Sequence, residues 1–175
     1  YYYYADETPQ ATLDAAAQAF SYYENTFGRY PHGSYAIAET GLCLDYAAYA
    51  GLLFLSDGLT AEARTAAVAE GVARQWWGET VGSDNLENAW QSEGLAAYSA
   101  ACFFENHADY GVRRDDLVAL SLKEYRSYYD VYGSVLGRTD TRMKRHLKEY
   151  LSDYEYRCLA YDKGVVMFDT LRKSV

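Results

Sequence analysis

Residues 69–98 read AEGVARQWWGETVGSDNLENAWQSEGLAAY, and the fold turns on how this stretch divides. Its first part closes a helix that Thr60 opens with Ala61 and Glu62 and that is predicted to run to about Trp77. Its last part belongs to a second helix, predicted over Asn88–Asn106. Glu70 and Arg74 stand one helical turn apart and are expected to pair. Gly71, in mid-helix, costs about 1 kcal/mol relative to alanine. Trp76 and Trp77 read most simply as packing between helix and sheet.

Upstream, Thr12–Phe27 carries Leu13, Ala17, Phe20, Tyr23 and Phe27 at helical spacing until Gly28 stops it, and residues 30–33 read as a turn. Ser34–Glu39 and Gly51–Ser56 read as strands, with a turn at Asp57-Gly58. Downstream, helices are predicted over Asp115–Tyr132, Asp140–Ser152 and Tyr161–Lys173. The expectation is one α+β domain over residues 1–175, mostly α. A small sheet occupies about residues 10–60 and a helical lobe residues 61–175.

The 175 residues are enough to bury a core, and half of them are apolar with only 2 prolines, which excludes a disordered chain. A net charge of −9 argues against nucleic-acid and anionic-membrane partners. No apolar run is long enough to span a bilayer, and the start, YYYYADETPQ, lacks a signal-peptide pattern, so the expectation is a soluble chain without a targeting segment. Cys43, Cys102 and Cys158 have no CxxC spacing and are expected to be buried thiols. The 20 tyrosines read mainly as amphipathic surface and interface residues, with some lining a partly wet cleft.

Several blocks together resemble the catalytic domain of the gluzincin zinc aminopeptidases, the family of membrane alanyl aminopeptidase and leukotriene hydrolase. Gln75-Trp76-Trp77-Gly78 matches the segment that follows the family's HExxH helix. Eighteen residues separate Arg74 from Glu93, which sits in WQSEGLAAY, similar to the family's WxxEGxAxY. Tyr161-Asp162-Lys163-Gly164 with Leu171-Arg172 resembles YxKG…LR, and Phe27–Pro31 resembles FGxYP. Leu44-Asp45-Tyr46 lies where the family has a substrate-binding strand. The resemblance implies a thermolysin-like fold, zinc as cofactor, Tyr161 as the transition-state tyrosine, and Asp45 and Tyr46 beside substrate.

The departures fall on the chemistry. An HExxH site needs two imidazoles at i and i+4, a glutamate as general base and a distant carboxylate. Here Glu70 and Arg74 occupy the two histidine positions, Gly71 the general-base position, and Glu93 alone remains of the ligands. A permanent cation at Arg74 repels a divalent ion. No cofactor is therefore expected, and Glu93 is either a vestigial ligand or a partner of Arg74. Glu70 with Glu93 offers a site for a different, harder divalent ion if Arg74 swings away. Gly71 is expected to enlarge the cleft. Changes confined to catalytic positions read as a set that selection or design rewrote, as in a pseudoenzyme or an engineered scaffold.

Three functions follow as expectations: a catalytically silent domain that keeps a peptide-binding cleft, a pocket rebuilt for another metal or a small molecule, or a residual hydrolase with a new nucleophile. Asp45 either holds an amine or is solvated. His32 and His107 read as surface residues, and His146 lies in a basic stretch, Arg142–Lys148, expected to be a solvated helical face. No histidines fall at paired ligand spacing, and a Cys102/His107 nucleophile pair is disfavoured because five residues on a helix point them apart.

Overall fold

The computed structural model describes residues 9–137 and 139–175; the tyrosine-rich start lies outside them. Helix α1 (Pro9–Phe27) buries Thr12, Ala15, Ala16, Ala19 and Tyr23 along one side. The predicted stripe is rotated slightly: Phe20 and Tyr23 join the core, whereas Leu13 and Phe27 remain over a third exposed. Small alanines, rather than leucine, let the helix lie close to its neighbour.

Three strands follow, β1 (Ala36–Thr40), β2 (Tyr46–Tyr49) and β3 (Leu52–Ser56), in the order β1-β3-β2. β3 is central, parallel to β1 and antiparallel to β2. The β2–β3 hairpin turns at Ala50-Gly51, where Gly51 takes φ +70° at no steric cost. Leu53 and Leu55 are fully buried beneath the helices, while β2 forms an open edge.

Helix α2 (Ala61–Ala73) is capped by Thr60, whose hydroxyl accepts from Ala63 N at 3.3 Å. Every residue from Ala67 to Ala73 is buried, so its last two turns are enclosed on all sides. It stops at Ala73, short of the predicted Trp77, because Gln75, Trp76 and Trp77 turn back onto their own helix and outward contacts. Gln75, with no exposed surface, donates to Tyr49 O at 3.0 Å and accepts from Gly51 N at 2.9 Å, fastening the hairpin to the helix end. Trp76 donates to Gly28 O and Trp77 to Ser99 Oγ, both at 2.9 Å. The QWWG block is scaffold.

Helix α3 (Asn85–Asn106) is capped by Asp84 and kinked at Asn88, and α4 (Arg114–Leu136) follows. The predicted helix over residues 140–152 is absent apart from a short 3₁₀ turn at Leu147–Glu149. Arg145 is the reason. Rather than facing solvent it is 5% exposed, donating to the carbonyls of Asp140 and Arg142 and to Glu155 Oε1, and it ties the segment down as a loop. His146, expected on a solvated face, is half-buried and caps that turn by accepting from Lys148 N at 3.1 Å.

The chain closes with α5 (Asp153–Tyr156), a π-helical turn over Arg157–Asp162, and α6 (Lys163–Ser174). α6 crosses α3 where Gly164 meets Gly94: a β-carbon on either would lie 2.8–2.9 Å from the other's Cα. The molecule is thus mostly helical with a small three-stranded sheet. One continuous core joins α1, the sheet, α2 and α3. Among the described residues no helix is long and apolar enough to cross a membrane.

Candidate functional site

Five of the residues singled out, Glu70, Arg74, Glu93, Tyr46 and Tyr161, meet where α2, α3, β2 and the π turn come together. Glu70, 7% exposed, receives the hydroxyl of Tyr46 on Oε1 and that of Tyr161 on Oε2, each at 2.6 Å. Arg74, one turn on, donates Nε to Tyr46 Oη at 3.3 Å and pairs through Nη2 with Glu93 Oε2 on α3. The second oxygen of Glu93 accepts from Tyr156 Oη at 2.9 Å. A continuous chain therefore runs Tyr161–Glu70–Tyr46–Arg74–Glu93–Tyr156.

The π turn makes this chain possible. Tyr156 and Tyr161 are five residues apart, which on a regular α-helix would separate them by about 140°. With the backbone bonding i to i+5, both rings swing toward the end of α2. Arg157 lies over the Tyr161 ring, 5.7 Å from its centre.

Burial sets the electrostatics. It pushes the Glu70 carboxyl above its ordinary value, although the hydroxyls of Tyr161 and Tyr46 and the charge of Arg74 draw it back. Burial, reinforced by the Glu70 charge, holds Tyr46 and Tyr161 well above the usual phenol range, so neither is poised to ionise. Burial also raises Tyr156. Desolvation opposes the Arg74 charge, but Tyr46 and Glu70 outweigh it and the guanidinium stays protonated. The cluster is satisfied and low in reactivity.

Several expectations need correction. Arg74 pairs with Glu93, one of the two readings of that carboxylate, and not with Glu70 as their spacing suggested, because the two tyrosines take the oxygens of Glu70. Gly71 does not enlarge a cleft: a β-carbon there would lie 2.5 Å from Leu53 Cδ1, so the space belongs to the sheet. Asp45 is exposed and its side chain lies outside the network; its carbonyl accepts from Ser56 N at 3.0 Å. Cys43 is exposed and Cys102 half-buried, so only Cys158 is the buried thiol expected of all three. His107 is half-buried, stacked on Phe103 at 4.2 Å with Nδ1 on the Phe103 carbonyl. Sequence reasoning missed Tyr156, whose role depends on a π turn that no local pattern announces.

The donor set does not fit zinc. A catalytic zinc site takes three protein ligands from imidazole, thiolate and carboxylate. Here both carboxylates are already committed to hydroxyls or to a guanidinium, and no imidazole is near. Among the described residues no group of three or more His, Cys, Asp or Glu side chains is placed to hold a metal ion.

Neither the protein-family models nor the curated proteins match the sequence. Solved structures do. The M1 zinc metallopeptidase of Deinococcus radiodurans is similar over 98% of this chain at 20% identity and TM-score 0.60. A glutamate-to-alanine mutant of it gives 21% identity and TM-score 0.63. The same mutant bound to a Tyr-Ser-Ala substrate gives 21% and 0.61. The chain spans about a third of those proteins, 34% of their length. It has the fold of this region of an M1 metallopeptidase.

Proposed function

We propose that this chain is a peptide-binding domain on a metallopeptidase fold, in which an ion-pair and tyrosine network stands where the fold carries its zinc centre. The single observation behind the reading is that Arg74 bridges Tyr46 and Glu93 while Glu70 is closed off by Tyr46 and Tyr161. With the first two ligand positions held by Glu70 and Arg74, zinc-dependent hydrolysis has no ligand set and no general base at Gly71. The intact surroundings, QWWG, Glu93 and the Tyr161 segment, support a site rewritten as a unit by selection or design.

The neighbour that binds a Tyr-Ser-Ala substrate supports a cleft that accepts peptides. In this chain β2 is an edge strand with Tyr46 at its start, and an extended peptide can add to such an edge through main-chain hydrogen bonds. Asp45, exposed just before that strand, is the carboxylate we assign to the peptide amine. Rebuilding for another divalent ion is the weaker alternative, since it requires Arg74 to leave Glu93 and expose a buried charge. A small-molecule pocket is favoured by a cavity in the helical lobe that borders Glu70 and Tyr161.

The test pairs metal analysis with a peptide-binding assay. The purified chain dialysed against zinc is expected to retain no stoichiometric metal and to show no chelator-sensitive turnover of aminoacyl substrates. A fluorescently labelled tripeptide should still bind, and Tyr46→Phe with Asp45→Asn should weaken it. One zinc per chain with chelator-sensitive hydrolysis would overturn the reading.

A further inference from the structure

Behind the network, the helical lobe holds a cavity of about 430 Å³ between α2, α3, α4 and the π turn. That volume lies within the range of small-molecule sites, about 300–1,000 Å³. Ala97, Ala100 and Ala101 of α3 and Leu117 and Leu120 of α4 give it apolar walls. Its charged lining is Glu70, Glu124, Asp162 and Arg157, three carboxylates against one cation.

Asp162 points to a ligand. It is 3% exposed, and its Oδ2 has no hydrogen-bond partner among the described residues. Ser121, also lining the cavity, lies beside it and draws its carboxyl down against the burial. Burial pushes its carboxyl up to about 6, so near neutral pH it is still largely ionised. A buried carboxylate with an unpaired oxygen is costly to keep, and the one cation that draws it down, Arg157, is exposed. Glu70 needs nothing further, since both its oxygens are bonded.

We propose that this cavity binds a primary ammonium group on a short aliphatic chain, with Asp162 Oδ2 as counter-ion and the α3 alanines against the methylenes. The inference stands apart from the peptide reading of β2: the cavity borders the network at Glu70 and Tyr161, but its counter-ion is Asp162 and none of its lining comes from β2. An ammonium suits a single unpaired oxygen, and Oδ2 is the one left without a partner, whereas a guanidinium pairs best with both oxygens of a carboxylate. A metal ion would need ligands that the lining does not assemble. A free alkylamine and a lysine side chain of a peptide share this chemistry.

Calorimetric titration of the native chain with n-pentylamine, 1-pentanol and N-acetyl-lysine amide tests it. Pentylamine should bind saturably and pentanol, of the same shape without charge, should not. Asp162→Asn should weaken the amine by about tenfold or more. Arg157→Gln, an exposed position, should tighten it about threefold by removing the competing cation. Binding of the lysine amide as well assigns a peptide side chain as a source; binding of pentylamine alone assigns a free amine. Pentanol binding as tightly as pentylamine, unchanged affinity in both variants, or no saturable amine binding by the folded native chain would each overturn the proposal.

Discussion

Single side chains decide this site, and Asp162 shows how. Its ordinary value of 3.8 applies to the unfolded chain, while in the fold burial raises it to about 6. A carboxyl whose folded value is raised destabilises the native state above that value, where it must ionise in a buried setting. The penalty fades as pH falls from about 6 toward 3.8, because the native state takes up a proton first. The difference corresponds to about 3 kcal/mol at pH 8. Asp162→Asn is therefore expected to be more stable than the native chain at pH 8 and nearly equal to it at pH 4, in urea unfolding followed by circular dichroism. A gap that stays constant between those pH values would mean that Asp162 is not desolvated as described. The same logic separates it from Glu93, where a guanidinium and a phenol supply what Asp162 lacks.

Among the elements, the crossing of α3 and α6 carries the strongest constraint. Gly94 and Gly164 both sit in the blocks that resemble peptidase motifs, yet their place in the fold is fixed by packing. On an isolated helix, Gly164→Ala would gain about 1 kcal/mol. Here the new methyl meets the Gly94 backbone, which cannot rotate away, so the change should destabilise by about 1–3 kcal/mol net. Thermal unfolding measures this, and a rise in Tm would show that the helices separate freely. The elements also mark where sequence suffices. α2 was legible from its Thr60 start, α3 and α4 as long helical segments, β1 from alternation and β3 as a short apolar run. β2 was visible only through resemblance, being four residues with two alanines. The loop over 140–152 was not legible, because its conformation depends on Arg145 reaching Glu155, a partner from another element. Within the site, Glu70, Arg74, Glu93, Tyr46 and Tyr161 were all singled out from the sequence. Their pairing was legible in part: Arg74 with Glu93 was one of the two readings of that carboxylate, while the closing of Glu70 by two hydroxyls depends on where the π turn sends Tyr161.

At the scale of the whole molecule, the network is a clamp between the sheet and the helical lobe: Tyr46 comes from β2, Glu70 and Arg74 from α2, Glu93 from α3, and Tyr156 and Tyr161 from the last helical run. A fold that held zinc there would be cross-linked by the metal; here hydroxyls and an ion pair link the same elements. If fold and site are separable in this way, ligand side chains returned to the scaffold should recover the metal. Glu70→His, Gly71→Glu and Arg74→His restore an HExxH pattern opposite Glu93, but the new glutamate at 71 begins 2.5 Å from Leu53 Cδ1. The triple variant is therefore expected to bind zinc poorly, and adding Leu53→Ala should raise retention to one ion per chain after gel filtration. Equal retention in both variants would show that Leu53 yields without cost. Retention in neither, with the fold intact by circular dichroism, would show that the clamp has moved α2 and α3 out of the spacing a tetrahedral ion requires, and that the site and the scaffold changed together.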